Sequence, residues 1–299
     1  MEQSRMRKCL LPWIVNNIER HISWSSLSIN PNAIHLLEAN QDKIDWDMLS
    51  CNPNAIHLLE ANPNKILWSP LCLNPYAIHL LDSNLDKIDI DWRWLSGNPN
   101  AIHLLEANQD KIDWTYLSRN PKAVHLLEAN YHKIDWYDLN RNTNAIHLLE
   151  ANQDKIDWCG LSRNPNAVYL LEANRNKIRW CELSRNPNAI HLLEANQDKI
   201  DWMHLSCNPN AIHLLEANKD KIDWFNLSEN PNAIHLLKEN QKYIYWDKIS
   251  TNPSIFQCDY TFYRERMDVH REELMKAVFH PKRLKRSLEL GYNLFDEVD

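Results

Sequence analysis

Nine histidines occupy one position of a repeated sequence pattern. An acid follows three residues later in every case except His235, which Lys238 follows. On a helix, residues three apart share a face, so a His beside a carboxylate suggests metal ligation or general-base catalysis. The nine are His35, His57, His79, His103, His125, His147, His191, His213 and His235, and Tyr169 takes the same position once.

Three observations argue against a reactive site in this His column. Stacked helices would place successive histidines roughly 10 Å apart, too far to share a metal whose Zn–N bonds are about 2.1 Å. A position that recurs nine times is not a tuned active site, and Tyr169 replaces His without any change around it. We therefore predict a ladder of hydrogen bonds between units, with no metal and no cofactor.

The seven cysteines and the known catalytic motifs give no further chemistry. No C-x-x-C spacing occurs, although Cys159 and Cys181 fall at equivalent places in adjacent units. Reduced thiols are the expectation for a cytosol-like compartment. The sequence has no phosphate loop, nucleophile elbow, metalloprotease helix or calcium loop, so we predict a protein that is not an enzyme.

The element that must position all these side chains is a unit of 22 residues. One interval, from Asn74 to Asn98, is 24 residues long because Ile90 and Asp91 are inserted before Trp92. A fixed period of this length is typical of a solenoid, in which each unit buries its apolar face against its neighbours. The units begin at Asn30, Asn52, Asn74, Asn98, Asn120, Asn142, Asn164, Asn186, Asn208 and Asn230, and an eleventh start is seen at Asn252.

Each unit predicts two short helices. In the first unit, Asn30 is expected to cap a helix of two to three turns and Asn40 to end it in the left-handed conformation. Asp45 is expected to cap a second, shorter α or 3₁₀ helix that starts at Trp46. A β-solenoid with Lys43–Trp46 as its strand is the rival, but three glycines in the chain are too few for its tight corners.

The amino-acid sequence of the unit resembles the repeats of two known families. The alternation LSxNPNAIHLLEANxDKIDW is similar to leucine-rich-variant repeats, which implies a right-handed superhelix of α and 3₁₀ helices. The longer pattern NPNAIHLLEANQDKIDWxxLS resembles repeats in proteins of giant DNA viruses of the mimivirus group. This likeness covers essentially the whole chain and implies a viral origin. It implies no catalytic activity.

The sequence thus predicts an all-α solenoid of ten units with helical caps at both ends. Residues 1–29 would cap the first unit, residues 30–251 would form the array, and residues 252–299 would form the C-terminal cap. Ten layers about 10 Å thick would make a curved rod on the order of 100 Å long. The chain has no run of about 18 apolar residues and no signal peptide is recognised, so we expect an intracellular monomer in host cytoplasm or virion.

Positions that change between units indicate where a partner binds. The residue before Asn is arginine in four consecutive units, namely Arg119, Arg141, Arg163 and Arg185, and the pair after Trp also varies. We predict a scaffold that binds a viral or host protein through such positions, with neutral variation of a solvated edge as the open alternative. A reader of nucleic acid is the second hypothesis, and the net charge of −7 disfavours it because such binding depends on phosphate neutralisation. No membrane contact is expected.

Overall fold

The computed structural model describes residues 7–17, 21–85 and 90–278. Residues 10–256 belong to one compact unit, and residues 7–9 and 257–278 belong to a second. The predicted all-α architecture of regular repeats is confirmed, because each repeat contains two short helices, with a 3₁₀ turn between them wherever the structure describes that segment. The rival β-solenoid is wrong, since Gln41–Lys43 is a 3₁₀ turn and a helix begins at Trp46.

Eleven of the described helices begin at a tryptophan, and we call them Trp helices. They are Trp24–Ile29, Trp46–Ser50, Trp68–Leu71, Trp92–Gly97, Trp114–Arg119, Trp136–Leu139, Trp158–Arg163, Trp180–Leu183, Trp202–Ser206, Trp224–Leu227 and Trp246–Thr251.

The second helix of each unit carries the leucine pair, and we call it the Leu helix. The ten Leu helices are Ile34–Glu38, Ile56–Ala61, Ile78–Asp82, Ile102–Ala107, Val124–Ala129, Ile146–Ala151, Val168–Ala173, Ile190–Glu194, Ile212–Ala217 and Ile234–Glu239. A 3₁₀ turn such as Gln41–Lys43 follows the Leu helix in the units where the structure describes that segment.

The core of each unit is formed by the same few apolar positions. In the first unit Ala33, Leu37 and Leu49 are completely buried, and Ile44 is nearly so. Burying a large aliphatic side chain contributes about 1.5–3 kcal/mol. Helices of five or six residues are unstable alone in water, so contact between units must supply the order, as the sequence predicts.

The predicted cap of the Trp helix is confirmed, and the predicted cap of the Leu helix is wrong. Asp45 accepts hydrogen bonds from the backbone N–H groups of Asp47 and Met48. The Leu helix begins three residues later than predicted, after Ala33, which makes no side-chain cap. Asn30 instead accepts from the N–H of Asn32 in a turn, because its carboxamide is directed to the preceding unit.

The predicted left-handed end of the Leu helix is also wrong. Asn40 has φ −137° and ψ 53°, which lies outside the left-handed region. Its Nδ2 donates to the carbonyl oxygen of Leu36 at 2.8 Å. The side chain therefore satisfies a free carbonyl group of the helix, and no positive φ is needed.

A buried asparagine ladder joins all the units. In every unit the Nδ2 of the Asn that starts the turn donates twice, to the carbonyl oxygen of the preceding such Asn and to that of a residue two positions before it. These distances are 2.8–3.1 Å. The members, all at most 2% exposed, are Asn30, Asn52, Asn74, Asn98, Asn120, Asn142, Asn164, Asn186, Asn208, Asn230 and Asn252.

The asparagine ladder is closed on itself. Asn30 donates to the carbonyl oxygens of Ser250 and Asn252 at 3.0 Å each, which makes the last unit the predecessor of the first. The N–H of Ser23 donates to Ser250 Oγ at 3.1 Å, in the same way that the N–H of Asp45 donates to Ser28 Oγ. Residues 10–256 therefore form a closed ring of hydrogen-bonded units.

The eleventh unit of the ring is assembled from both ends of the chain. Ile255 is buried at the place of Ala33, and its carbonyl oxygen accepts from the N–H of Leu11 at 2.8 Å. The N-terminal helix Pro12–Val15 then takes the place of the Leu helix, with Ile14 fully buried. Asn17 Nδ2 donates to Trp13 O at 2.9 Å, as Asn40 donates to Leu36.

Ring closure corrects the predicted rod with two free ends. Ser23 donates to Ser250, and Asn30 donates to Ser250 and Asn252, so the array has no open end for a cap to cover. Of the predicted C-terminal cap, residues 279–299 lie outside the described residues.

The remaining described elements are two short strands and one long helix. β1 (Lys8–Leu10) pairs with β2 (Phe256–Cys258), and a helix follows at Tyr260–Val278. Arg7 Nε lies 3.1 Å from Asp259 Oδ2, and its guanidinium lies 4.5 Å from the ring centre of Phe262.

Ring closure predicts that Asn30→Ala and Asn142→Ala destabilise the protein equally. Each substitution removes two buried hydrogen bonds, and we expect each to lower the free energy of unfolding by on the order of 2 kcal/mol. Urea unfolding followed by circular dichroism measures both. In an open array Asn30 would have no preceding unit, so a negligible effect of Asn30→Ala beside a large effect of Asn142→Ala would contradict the closed ring.

Candidate partner-binding surface

The predicted ladder of hydrogen bonds between units is confirmed for most of the His column, and the structure identifies the partner. In seven of the nine, the His Nε2 contacts the Glu of the preceding unit, 19 residues earlier. His103, which follows the 24-residue unit, is not among them. The pairs, at 2.7–3.0 Å, are His57–Glu38, His79–Glu60, His125–Glu106, His147–Glu128, His191–Glu172, His213–Glu194 and His235–Glu216. The histidines are therefore structural links.

Two exceptions follow the same logic. Tyr169 donates its hydroxyl to Glu150 at 2.7 Å, and burial together with this carboxylate raises the pKa of Tyr169 to about 12. His35 follows the composite unit and turns to its own Glu38, with Nδ1 2.9 Å from Oε2. Burial would raise the pKa of Glu38, but its hydrogen bonds with His57 and His35 lower it below the ordinary 4.5.

The Trp column is half-buried against the core, and a lysine of the next unit covers most of the indole rings. Lys43 Nζ, for example, lies 4.7 Å from the ring centre of Trp24, within the range of a cation–π contact. His21 stands at the lysine position in the composite unit and stacks on Trp246 at 5.2 Å. Other such pairs are Lys65–Trp46, Lys111–Trp92, Lys133–Trp114, Lys177–Trp158, Lys199–Trp180 and Lys221–Trp202.

The side chains that vary most between units lie on the Trp helices. We define the variable face as the two residues after each Trp and the residue before each Asn. Most first residues after Trp are exposed, including Tyr137, Met203 and Phe225. The second residue and the residue before Asn contact each other across units, as Glu229 Oε1 and Lys248 Nζ do at 2.5 Å. The variable face therefore combines exposed apolar groups with charges.

The four predicted arginines fall on this face but are not equivalent. Asp138, only 3% exposed, accepts a hydrogen bond from Arg119 Nε at 2.5 Å and lies 3.8 Å from Arg141 Nη1. The guanidinium groups of these two arginines also lie 5.6 Å and 5.5 Å from the rings of Tyr116 and Tyr137. Asp138 thus neutralises part of the predicted positive ridge, a pairing that the spacing of 19 residues could have indicated.

Arg163 and Arg185 keep their charge unpaired among the residues that the structure describes. Arg163 is exposed, whereas Arg185 is half-buried and its Nε is buried without a hydrogen-bond partner. Burial raises the pKa of the Cys207 thiol, and Arg185 and Arg163 act in the opposite direction. Arg163 and Arg185, from neighbouring units, therefore both act on the same thiol. Their role in binding a partner stays a prediction.

Sequence reasoning missed an aromatic patch in the last two units of the array. We define the aromatic patch as Trp224, Phe225, Tyr243 and Tyr245. Tyr243 stacks on Trp224 with ring centres 5.0 Å apart, and Phe225 meets Tyr245 edge to face at 5.2 Å. These four residues line a shallow cavity of 370 Å³. The available signal was that tyrosine replaces the usual Lys and Asp of the repeat at 243 and 245.

One variation inside the ring has a structural explanation. Asn140 replaces the usual Ser, donates to Trp136 O at 2.6 Å and leaves its buried Oδ1 without a partner. The next unit carries Gly160, where a Cβ would lie 3.1 Å from both Asn140 Cβ and Asp157 Oδ2. The glycine therefore leaves room for the Cβ of Asn140 and for the Asp157 carboxylate that caps its own helix.

The fold and its variable face define a closed ring of helical repeats, a repeat-type scaffold. Residues 86–254, more than half of the chain, match the family model described as periplasmic copper-binding protein (NosD). By this match the chain belongs to the NosD family. The matched stretch includes seven complete repeats, from Asn98 to Thr251. No curated protein and no solved structure match the chain.

The residues of the ring do not fit the copper named in the family description. Within residues 7–17, 21–85 and 90–278, no three His, Cys, Asp or Glu side chains lie close enough together to hold a metal ion. The histidines of the ladder are hydrogen-bonded to glutamates, and all seven cysteines are free and not clustered with them. Across the same described residues, no helix is long and apolar enough to cross a membrane.

The lowered pKa of Glu38 predicts a pH-dependent contribution to stability. Its folded pKa lies below the unfolded value, so the contribution is present above about pH 5 and is lost as pH falls through the folded pKa. We expect Glu38→Gln to lower the melting temperature at pH 6 and to have a much smaller effect at pH 3. Thermal unfolding across this range measures it, and an equal effect at both pH values would contradict the His–Glu–His link.

The close contacts at Gly160 predict that a side chain there destabilises the protein. Gly160→Ala gains helix propensity of about 1 kcal/mol, but the added Cβ would crowd Asn140 Cβ and Asp157 Oδ2, and we expect a net loss of about 1 kcal/mol. Gly97→Ala is the matched control, because a Cβ there would lie 3.6 Å from the nearest atom of Tyr116, and we expect no loss of stability. Urea unfolding measures both variants, and equal effects would contradict the explanation.

Proposed function

We propose that this chain is a non-enzymatic scaffold that binds another protein through the variable face of its ring. The proposal rests on the observation that the positions that hold the units together differ from the positions that vary between units. The repeated Asn, Ser, His and Glu side chains hold the units together, whereas the residues that change between units carry exposed Tyr, Met and Phe and unpaired Arg. Aromatic, Met and Arg side chains are the ones enriched at protein interfaces.

The resemblance to giant-virus repeats supports a viral origin, and the partner is then a viral or a host protein inside the infected cell. We propose a monomer, because one chain closes the ring by itself and leaves no terminal unit to pair with a second copy. Nucleic acid stays the alternative partner. The net charge of −7 and the pairing of Arg119 with Asp138 make it less favourable.

Charge reversal on the variable face tests the proposal. We expect Arg163→Glu combined with Arg185→Glu to reduce recovery of the main protein partner at least about 10-fold, equivalent to 1.4 kcal/mol. The matched control is Arg175→Glu combined with Lys219→Glu, two exposed cations at the start of 3₁₀ turns. Affinity purification of the tagged full chain from its native cells, with quantitative mass spectrometry, measures recovery.

The two variants carry the same change of charge, so a general electrostatic effect would reduce recovery in both. Loss in the Arg163/Arg185 variant with retention in the control supports a specific face. An unchanged set of partners in all three proteins contradicts binding at this face. Recovery of nucleic acid without a protein partner would favour the alternative.

A further inference from the structure

Unit 10, residues 230–251, differs from the other units at several positions that other units share. Lys238, Lys242, Tyr243 and Tyr245 stand where the previous unit has Glu216, Asp220, Lys221 and Asp223. Residues 230–251 contain three lysines and two acids, whereas residues 186–207 contain one lysine and three acids. The substitutions therefore remove negative charge and add aromatic surface in one unit.

Three of these substitutions, Lys242, Tyr243 and Tyr245, line the cavity of the aromatic patch. Phe225 and Tyr243 are each 43% exposed and Tyr245 is 52% exposed, so the patch presents three large rings to solvent. Lys242 Nζ lies 4.7 Å from the ring centre of Tyr243, and Lys248 Nζ lies 4.8 Å from that of Phe225. Cations thus flank the rings, and Lys242 forms no ion pair among the described residues.

Stability does not account for the tyrosines. Tyr245 makes no side-chain hydrogen bond at the start of its Trp helix, whereas Asp223 accepts one from the N–H of Asn226 at the equivalent place. Losing such a cap costs about 1 kcal/mol. Tyr243 stacks on Trp224 at the place where Lys221 covers Trp202 in the preceding unit, so a lysine can fill the same packing role. A binding role explains why the unit carries both.

We infer that the aromatic patch binds an acidic protein segment with an apolar or aromatic anchor. The anchor would occupy the 370 Å³ cavity between Tyr243 and Tyr245, and the carboxylates would approach Lys242, which lines the same cavity. Lys248 is less available, since it is paired with Glu229 at 2.5 Å. An ordinary unit, with three acids, would repel an acidic segment, whereas the reduced negative charge of this unit allows it to approach. This inference rests on the proposed protein-binding function and adds a second site to it.

Fluorescence anisotropy with the full chain tests the site. The probes are a fluorescein-labelled peptide of sequence EEDFLDEE, a peptide KKNFLNKK of the same length, and a labelled ten-residue oligo(dT). We expect saturable binding of the acidic peptide, weakened at least about 10-fold by the double variant Tyr243→Lys/Tyr245→Asp. That variant restores the residues of the ordinary unit, including the helix cap, so it should fold at least as stably as the natural chain.

Tyr131→Gln is the matched control, because it removes an exposed tyrosine elsewhere in the ring and restores the usual residue of its position. It should leave binding unchanged. The inference is overturned if the acidic peptide does not bind, if the double variant binds it equally well, or if KKNFLNKK or oligo(dT) binds more tightly. Purification of the natural partner with the same double variant separates the two claims. A partner retained despite failure of peptide binding leaves the proposed function standing.

Discussion

The carboxamide of one buried asparagine per unit holds this structure together. Nδ2 donates to the backbone carbonyls of the preceding ladder Asn and of the residue two positions before that Asn, while Oδ1 fixes the turn of its own unit. Buried carbonyl groups need a partner, and here each unit supplies it to its predecessor. The serine bonds, the His–Glu ladder and the Lys–Trp contacts repeat the same neighbour-to-neighbour arrangement.

Because these contacts involve a constant set of positions, the remaining positions are free to differ. The two residues after Trp range from Ser25 and Ser26 to Phe225 and Asn226 without altering the Leu that follows them in the core. The ring can therefore display a different side chain from each unit at a fixed geometry. This separation of holding and displaying residues also explains how Asp138 can be buried beneath two arginines without disturbing the asparagine ladder.

The sequence predicted the helical units and the Asp cap because both follow from local spacing. It also predicted the His ladder, yet assigned Asn30 to a helix cap, because a period reveals equivalence between units and not the direction in which a side chain points. Ring closure was not predictable from the pattern, since it depends on the small rotation between neighbours summed over eleven units. The composite unit shows why: Pro12–Val15 has little of the repeat's wording, and the bond from Leu11 to Ile255 joins residues at opposite ends of the chain. The aromatic patch was not predicted because it depends on two tyrosines found in one unit, whereas the predictions rested on the residues that recur in most units.

A closed ring also restricts how the gene can change its copy number. In an open array, unequal recombination between near-identical repeats adds or deletes a layer and leaves the others in place. Eleven units that close a full circle each turn by about 33°, and twelve would have to turn by about 30°. Every lateral contact would then need to adjust at once, so the number of repeats is itself under physical constraint, even though each repeat taken singly tolerates extensive substitution.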